Sequence, residues 1–371
     1  MRRMYALIVK EYYQIFRDPS SLLIAVVLPL ILLFVYGYGI SLDITQMKVA
    51  CVMEDRGPSS QSFVQALKDS SYFSLIFEDS SSNLTWDLST GKVLGGIEIP
   101  SYFSDFEKNS CQIAPIFVTA DGSQPNTANF VQNYLRGAFR NWQAQNQEEQ
   151  GIGPPPLAFT QPRFWFNEEL DSHHFLIPGS IAIIMALIGT ILTALVIARE
   201  WERGTMEALM ATKASIYEIL LSKLIPYFFL GLVTMLICTT LGCMLFGVPF
   251  RGSIGLLFVA TAFFLVASLG MGLLISSFAR NQFNAAQIAL VAGFLPAFML
   301  SGFIFEISSM PFRIQLISLL LPARYFVSSL QTLFLVGDVK SLVFLNCLAN
   351  AIFSIVLFSI LSFKSVKRLE G

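Results

Sequence analysis

Charge is scarce in this 371-residue chain: Asp, Glu, Lys and Arg together make up 13% of it, about half the share of an ordinary soluble domain. With 54% hydrophobic residues and a mean hydropathy of +0.62, that shortfall excludes a typical soluble enzyme and places much of the chain in lipid. The charges present balance to −1, which leaves no basic footprint for nucleic acid. Histidine is confined to His173 and His174, with no partners at a ligand spacing, so no metal site is expected there. Also missing are the Gly-x-x-x-x-Gly-Lys phosphate loop, the His-Glu-x-x-His helix and any Cys-x-x-Cys pair. The chain is therefore expected to bind neither nucleotide nor metal by itself. Of its cysteines, Cys238, Cys243 and Cys347 sit in apolar runs and read as small fillers. Cys51 and Cys111 lie in a more polar region, in or beside expected strands. A disulfide and two buried thiols are both compatible with that placement.

What the chain has in plenty is long apolar runs. A bilayer core of about 30 Å needs roughly 20 mostly apolar residues per helix. Six runs qualify: Ser21 to Ile40, Phe175 to Ala198, about Leu224 to Phe246, about Ile254 to Phe278, Ala285 to Phe305, and Leu342 to Phe363. Asp18 and Pro19 read as the helix start of the first. Its apolar core is longer than that of a cleaved signal and no Ala-x-Ala site follows, so it is expected to be retained.

Basic residues then orient the spans. Arg2, Arg3, Lys10 and Arg17 precede the first, and Arg199, Arg203, Lys213 and Lys223 join the second to the third. Arg280 lies between four and five, and Lys364, Lys367 and Arg368 end the chain. The opposite short loops offer only Arg251, Arg313, Arg324 and Lys340. Both termini are expected to be cytoplasmic.

The expected architecture is a polytopic α-helical membrane protein with six transmembrane helices and an α/β extracytoplasmic domain between helices 1 and 2. Its parts are an interfacial helix at 1–18, the first span at 19–41, the outer domain at 42–174 and the second span at 175–198. A cytoplasmic segment follows at 199–222, then spans three to five within 223–305. An outer re-entrant or interfacial segment at 306–340, the sixth span at 341–363 and a tail at 364–371 complete it. In the N-terminal segment, Met4, Tyr5, Ile8, Tyr12, Ile15 and Phe16 recur at helical spacing, the pattern of a helix lying on the membrane surface. In the outer domain, "KVACVMED", "KVLGGIEIP" and "QIAPIFVTADG" read as strands, and "SSQSFVQALKDSSYF" and "NTANFVQNYLRGAFRNW" as helices. That alternation implies a small α/β domain. "QAQNQEEQGIGPPP" reads as a linker or loop. Pro311 and Pro322 cut the stretch after span five into pieces too short to cross.

An ion-driven carrier wants an ionisable group at mid-depth. The six runs hold none, the nearest being Glu306 at one end of the fifth. Energy is thus expected to come from another protein. The densest charge lies instead in "IAREWERGTMEALMATKAS", Ile197 to Ser215. Gly204 can break the helix there, Thr205 can cap a short new one bearing Met206, Leu209 and Met210, and Ser215 to Glu218 forms a capping box. Such an element, clamped between two spans, can transmit motion; a solvated charged loop fits the same residues.

"REWERGTMEALMATKAS" resembles the cytoplasmic signature of ABC-2 type exporter permeases, with Lys213 where that family commonly has Pro. "TADGSQPNTANFVQNYL", "FNEELDSHHFLIPG" and "LLPARYFVSSLQTLFLVG" are similar to its six-span subgroup associated with drug and amphiphile export, and Glu306 stands where Pro is usual. The resemblance implies a bacterial inner-membrane permease that pairs with a second permease copy or paralogue and with two ATPase subunits. ATP and Mg would sit on those partners, this chain binding no cofactor, and a periplasmic adaptor is compatible with the arrangement. Arg199, Glu200, Glu202, Arg203, Gly204, Thr205, Glu207 and Leu209 would then form the coupling element. Arg3, Lys10, Glu11 and Arg17 would make a second ATPase contact. Met185, Phe294, Phe298, Met299, Phe303 and Glu306 are candidates for a substrate pathway, although Met and Phe at helical spacing are core more often than ligand contacts. A secondary carrier or channel and a membrane-anchored scaffold or receptor are the alternatives from other classes.

Overall fold

A computed structural model describes residues 2–39, 46–70, 72–108, 116–122, 125–150, 165–167, 171–212, 215–279 and 281–364. Cys111, Lys213, Arg280, Lys367 and Arg368 lie outside them, and with Cys111 the choice between a disulfide to Cys51 and two buried thiols. The chain divides into two compact units, 1–42 with 163–371 and 43–162. The first unit begins with α1 (Arg2–Arg17) and α2 (Pro19–Gly39). Pro29 inside α2 has no N–H to give the carbonyl of Ala25, one turn earlier. The backbone widens into a π turn over Leu23–Val27, and the Thr234 hydroxyl donates to the Ala25 oxygen at 2.8 Å. A proline in a spanning helix is tolerated when a neighbouring hydroxyl takes up the freed carbonyl in this way.

The second unit is an α/β sandwich: β1 (Met47–Met53), α3 (Pro58–Asp69), β2 (Phe73–Glu78), α4 (Ser81–Ser89), β3 (Gly95–Ile99), α5 (Phe103–Lys108), β4 (Phe117–Ala120) and α6 (Pro125–Gln150). The sheet order is β2-β1-β3-β4, with β1 parallel to both neighbours and β4 antiparallel to β3. Alternation along β1 explains its two-sided burial. Met47, Val49 and Cys51 pack with Phe63 and Leu67 of α3 and Leu135 and Trp142 of α6, while Ala50 and Val52 face Leu84 of α4. The sequence reading did not include β2 or α4. "YFSLIFED" ran on from a helical pattern, and as an edge strand β2 is only half-buried, so its alternation is weak.

The first unit resumes with α7 (Ser172–Glu202), then α8 (Thr205–Ala211), α9 (Ile216–Phe246), α10 (Ile254–Phe278), α11 (Gln282–Leu300), α12 (Phe312–Ser318), α13 (Pro322–Leu335) and α14 (Lys340–Lys364). Helix α7 is the axis: 89% of its apolar stretch is buried, against 50% or less for the other five helices long and apolar enough to cross a membrane. It meets α10 along a seam of small and hydroxylated residues. Thr193 donates to the Leu269 carbonyl at 3.0 Å, Ser268 to Ala186 at 3.2 Å, and Ser276 to Ala194 at 2.5 Å. A Cβ on Gly272 would stand 2.4 Å from the Thr190 carbonyl oxygen, so only glycine permits this approach. Small residues let helix backbones close where lipid gives no hydrophobic drive to associate. Helices α12 and α13 meet at a bend of 87°; among the described residues six helices are long and apolar enough to cross a membrane, or seven elements if the bent pair counts as one.

Candidate coupling site at the charged end of the bundle

Where α7 ends, six ionisable side chains from three helices and the α1–α2 junction come together. Glu200 Oε1 accepts from Lys10 Nζ of α1 at 2.7 Å and from Lys223 Nζ of α9 at 3.2 Å. Lys223 also donates to Glu11 Oε1 at 2.8 Å. Arg199 pairs with Asp18, at the junction of α1 and α2. Lys223, Glu11, Glu200 and Arg199 are 1%, 2%, 3% and 4% exposed. Buried charge is tolerable only when paired, and here Asp18, Glu11 and Glu200 balance Lys10, Arg199 and Lys223. Burial works against an ionised Asp18, but hydrogen bonds from Ser21 and Arg199 outweigh it and hold its carboxyl below the usual range.

The next residues leave the interior. Glu202 Oε1 accepts from the Gln282 backbone N–H at 2.8 Å and its other oxygen from the Gln282 side chain, which places a carboxylate on the first turn of α11. Arg203 closes α7, and Gly204 turns the chain at φ 67°, a left-handed conformation costly for any residue with a Cβ. Helix α8 rests on the bundle through Met206 and Leu209 and exposes Glu207. Thr205 does not cap α8 as its sequence position implied. Gly204 occupies the cap, and the Thr205 hydroxyl turns back to the Glu200 carboxylate. The Ser215 capping box is present: Ser215 Oγ accepts from Glu218 N at 3.2 Å and Glu218 Oε2 from Ser215 N at 2.8 Å.

The coupling residues named from sequence therefore separate into two groups. Arg199 and Glu200 face inward, whereas Arg203, Gly204, Thr205 and Glu207 are exposed and Glu202 reaches α11. On α1, Glu11 is buried, Lys10 reaches Glu200, and Arg17 is exposed; the Arg3 side chain lies outside the described residues. The buried face of α1 is centred on Glu11 and Ile15, and its exposed stripe carries Tyr5, Tyr13 and Phe16. Asp18 and Lys223 were missed as members, one read as a helix start and one as a loop charge. Their signal was opposite charge at the ends of neighbouring spans.

The pathway candidates do not form one surface. Phe294, Phe298 and Phe303 join Tyr36 of α2 in a run of rings with centroids 5.5–6.2 Å apart. Met185 is enclosed in α7, and Met299 and Glu306 are exposed.

This bundle, with its charged knot and short external helix, defines a multi-pass membrane protein. Residues 19–363 match the family described as ABC-2 family transporter protein, and the chain belongs to that family. It is 48% identical over 369 residues to an Escherichia coli K12 protein named "Probable multidrug ABC transporter permease YbhS", covering 100% of this chain and 98% of that one. A second relative from the same organism, "Probable multidrug ABC transporter permease YbhR", is 28% identical over 90% of each chain. "Inner membrane transport permease YhhJ", also from that strain, is 31% identical over 57% of this chain and 56% of its own.

Proposed function

We propose that this chain is the membrane subunit of an inner-membrane ABC exporter for hydrophobic or amphipathic substrates, driven by separate ATPase subunits that dock on α8 and its flanks. In this reading both termini are cytoplasmic, unit 43–162 is extracytoplasmic, and a second copy or a paralogue akin to the YbhR-named relative completes the pore. ATP and Mg are held by the ATPase partners.

One observation carries the proposal. The exposed element from Arg203 to Glu207 is continuous with a knot that ties α7 to α1, α2 and α9, and through Glu202 to α11. A push on α8 therefore reaches four spans through charge-assisted bonds, the strongest class of hydrogen bond. A solvated loop would have no need of such ties.

The test is charge reversal at the exposed positions, Arg203→Glu and Glu207→Lys, in the chain reconstituted with its ATPase in proteoliposomes. Hydrolysis should continue while efflux of a hydrophobic dye falls at least about tenfold, a loss equivalent to roughly 1.4 kcal/mol of coupling. Unchanged efflux in both variants would remove α8 from the docking surface.

A further inference from the structure

At the other end of α7 lies a cavity of about 400 Å³ that the coupling reading does not use. It forms where α7 starts, α11 stops, and α13 and α14 pass. Its walls include Ser301, Glu306, Arg324, Gln331 and, two turns into α14, Asn346.

Two polar atoms in this wall have no partner among the described residues. Ser301 is 1% exposed, yet its hydroxyl bonds to nothing, and the side-chain nitrogen of Gln331 is likewise buried and unbonded. Leaving such atoms unpaired is costly, so two on one cavity mark a place where another molecule supplies the partners. The space is more than ten times the roughly 30 Å³ share of one water. Charge in the cavity is divided. Glu306 and Arg324 both line it, and no ion pair joins them to each other among the described residues. Arg324 is held by bonds from Nη1 to the Gln315 carbonyl at 3.1 Å and the Ser318 hydroxyl at 2.5 Å. The lining thus offers one group for an anion, one for a cation, and neutral hydrogen-bonding groups besides. Phe175 and Val327 supply apolar wall.

We propose that this cavity binds the head of a zwitterionic phospholipid. Its phosphate would lie by Arg324, its ammonium by Glu306, and its ester or hydroxyl oxygens by Ser301 and Gln331. Long cationic and aromatic side chains such as Arg324 and Tyr325 favour the level of a bilayer where head groups lie. The site stands on the cavity alone and does not depend on the export reading.

The experiment is native mass spectrometry of the purified full chain in mild detergent, titrated with dioleoyl phosphatidylethanolamine and, separately, dioleoyl phosphatidylglycerol. The first should bind about tenfold more tightly, because only it carries an ammonium for Glu306. Glu306→Gln, at an exposed position, should abolish that preference, and Gln331→Leu should weaken both lipids. Lys340→Gln, which lines a separate apolar groove, should leave both unchanged. Equal binding of the two lipids, or a preference that survives Glu306→Gln, overturns the proposal.

Discussion

Lys223 shows what single residues contribute here. It is 1% exposed and bonded to two carboxylates, Glu11 and Glu200. Lys223→Met would leave both anions inside with too little compensation, a change that costs about 3–5 kcal/mol when one partner of a buried pair is removed. The expected outcome is a clear drop in the melting temperature of the detergent-purified chain, partly restored by the charge-balanced double variant Lys223→Met, Glu11→Leu. Asp55, in the turn after β1, makes a different prediction. Its Oδ1 accepts from Gly57 N at 2.8 Å, and its Oδ2 from the Ser104 backbone N–H at 2.8 Å and the Ser104 hydroxyl. Burial pushes its pKa up, but the bonds from Ser104 and Gly57 win and hold it below 3.8. A depressed folded pKa means stability that is whole above about 3.8 and is lost as pH falls through the folded value, because the unfolded chain binds the proton first. Protection of β1 and β3 from hydrogen exchange, relative to the intrinsic rate, should therefore fall on acidification below that range. Asp55→Asn should exchange faster at neutral pH and show a flatter pH response. Neither role was legible in the sequence. The Glu11–Lys223 pair spans 212 positions and Asp55–Ser104 spans 49, and charge type alone does not name a distant partner.

Elements were more legible, because a spanning helix must show its length in apolar residues. All six expected runs fall on six helices, and the differences are at the ends. The third helix begins at Ile216, well before the apolar run at Leu224, since its charged first turns are covered by α1 and by α7. The fifth ends at Leu300 rather than Phe305, because Ser301 and Gly302, the latter at φ 90°, turn the chain. The seam between α7 and α10 was not legible at all: glycine in an apolar run signals close packing but not against what. Two alanine substitutions separate the cases. At Gly272 the new Cβ would meet backbone at 2.4 Å, and at Gly255 it meets nothing within 4 Å. Gly272→Ala should reduce the yield of monodisperse protein in size-exclusion chromatography and lower its melting temperature. Gly255→Ala should match or slightly exceed the parent, since Ala is favoured over Gly in a helix by roughly 0.5–1 kcal/mol. Similar behaviour of the two variants would remove the close approach as the reason for Gly272.

For the whole molecule the open quantity is parity. Six crossings return the chain to its starting side, whereas counting the bent pair α12–α13 as a seventh would not. The 87° bend and the short length of α12, Phe312–Ser318, favour six. With both termini cytoplasmic, as proposed above, a fluorescent protein that matures only in the cytoplasm should then light up on either terminus; signal at one end alone would indicate seven. The central helix sets a further consequence. At 31 residues, α7 is about 46 Å long and outreaches a hydrocarbon core of about 30 Å. It carries the charged knot at one end and borders the polar cavity at the other. A rod of that length pivoting at its middle swings each tip by about 4 Å for a tilt of ten degrees, in opposite directions. Leverage of this kind needs no chain of intermediates: in such a tilt, closing around Glu200 and opening beside Phe175 would be two readings of one angle.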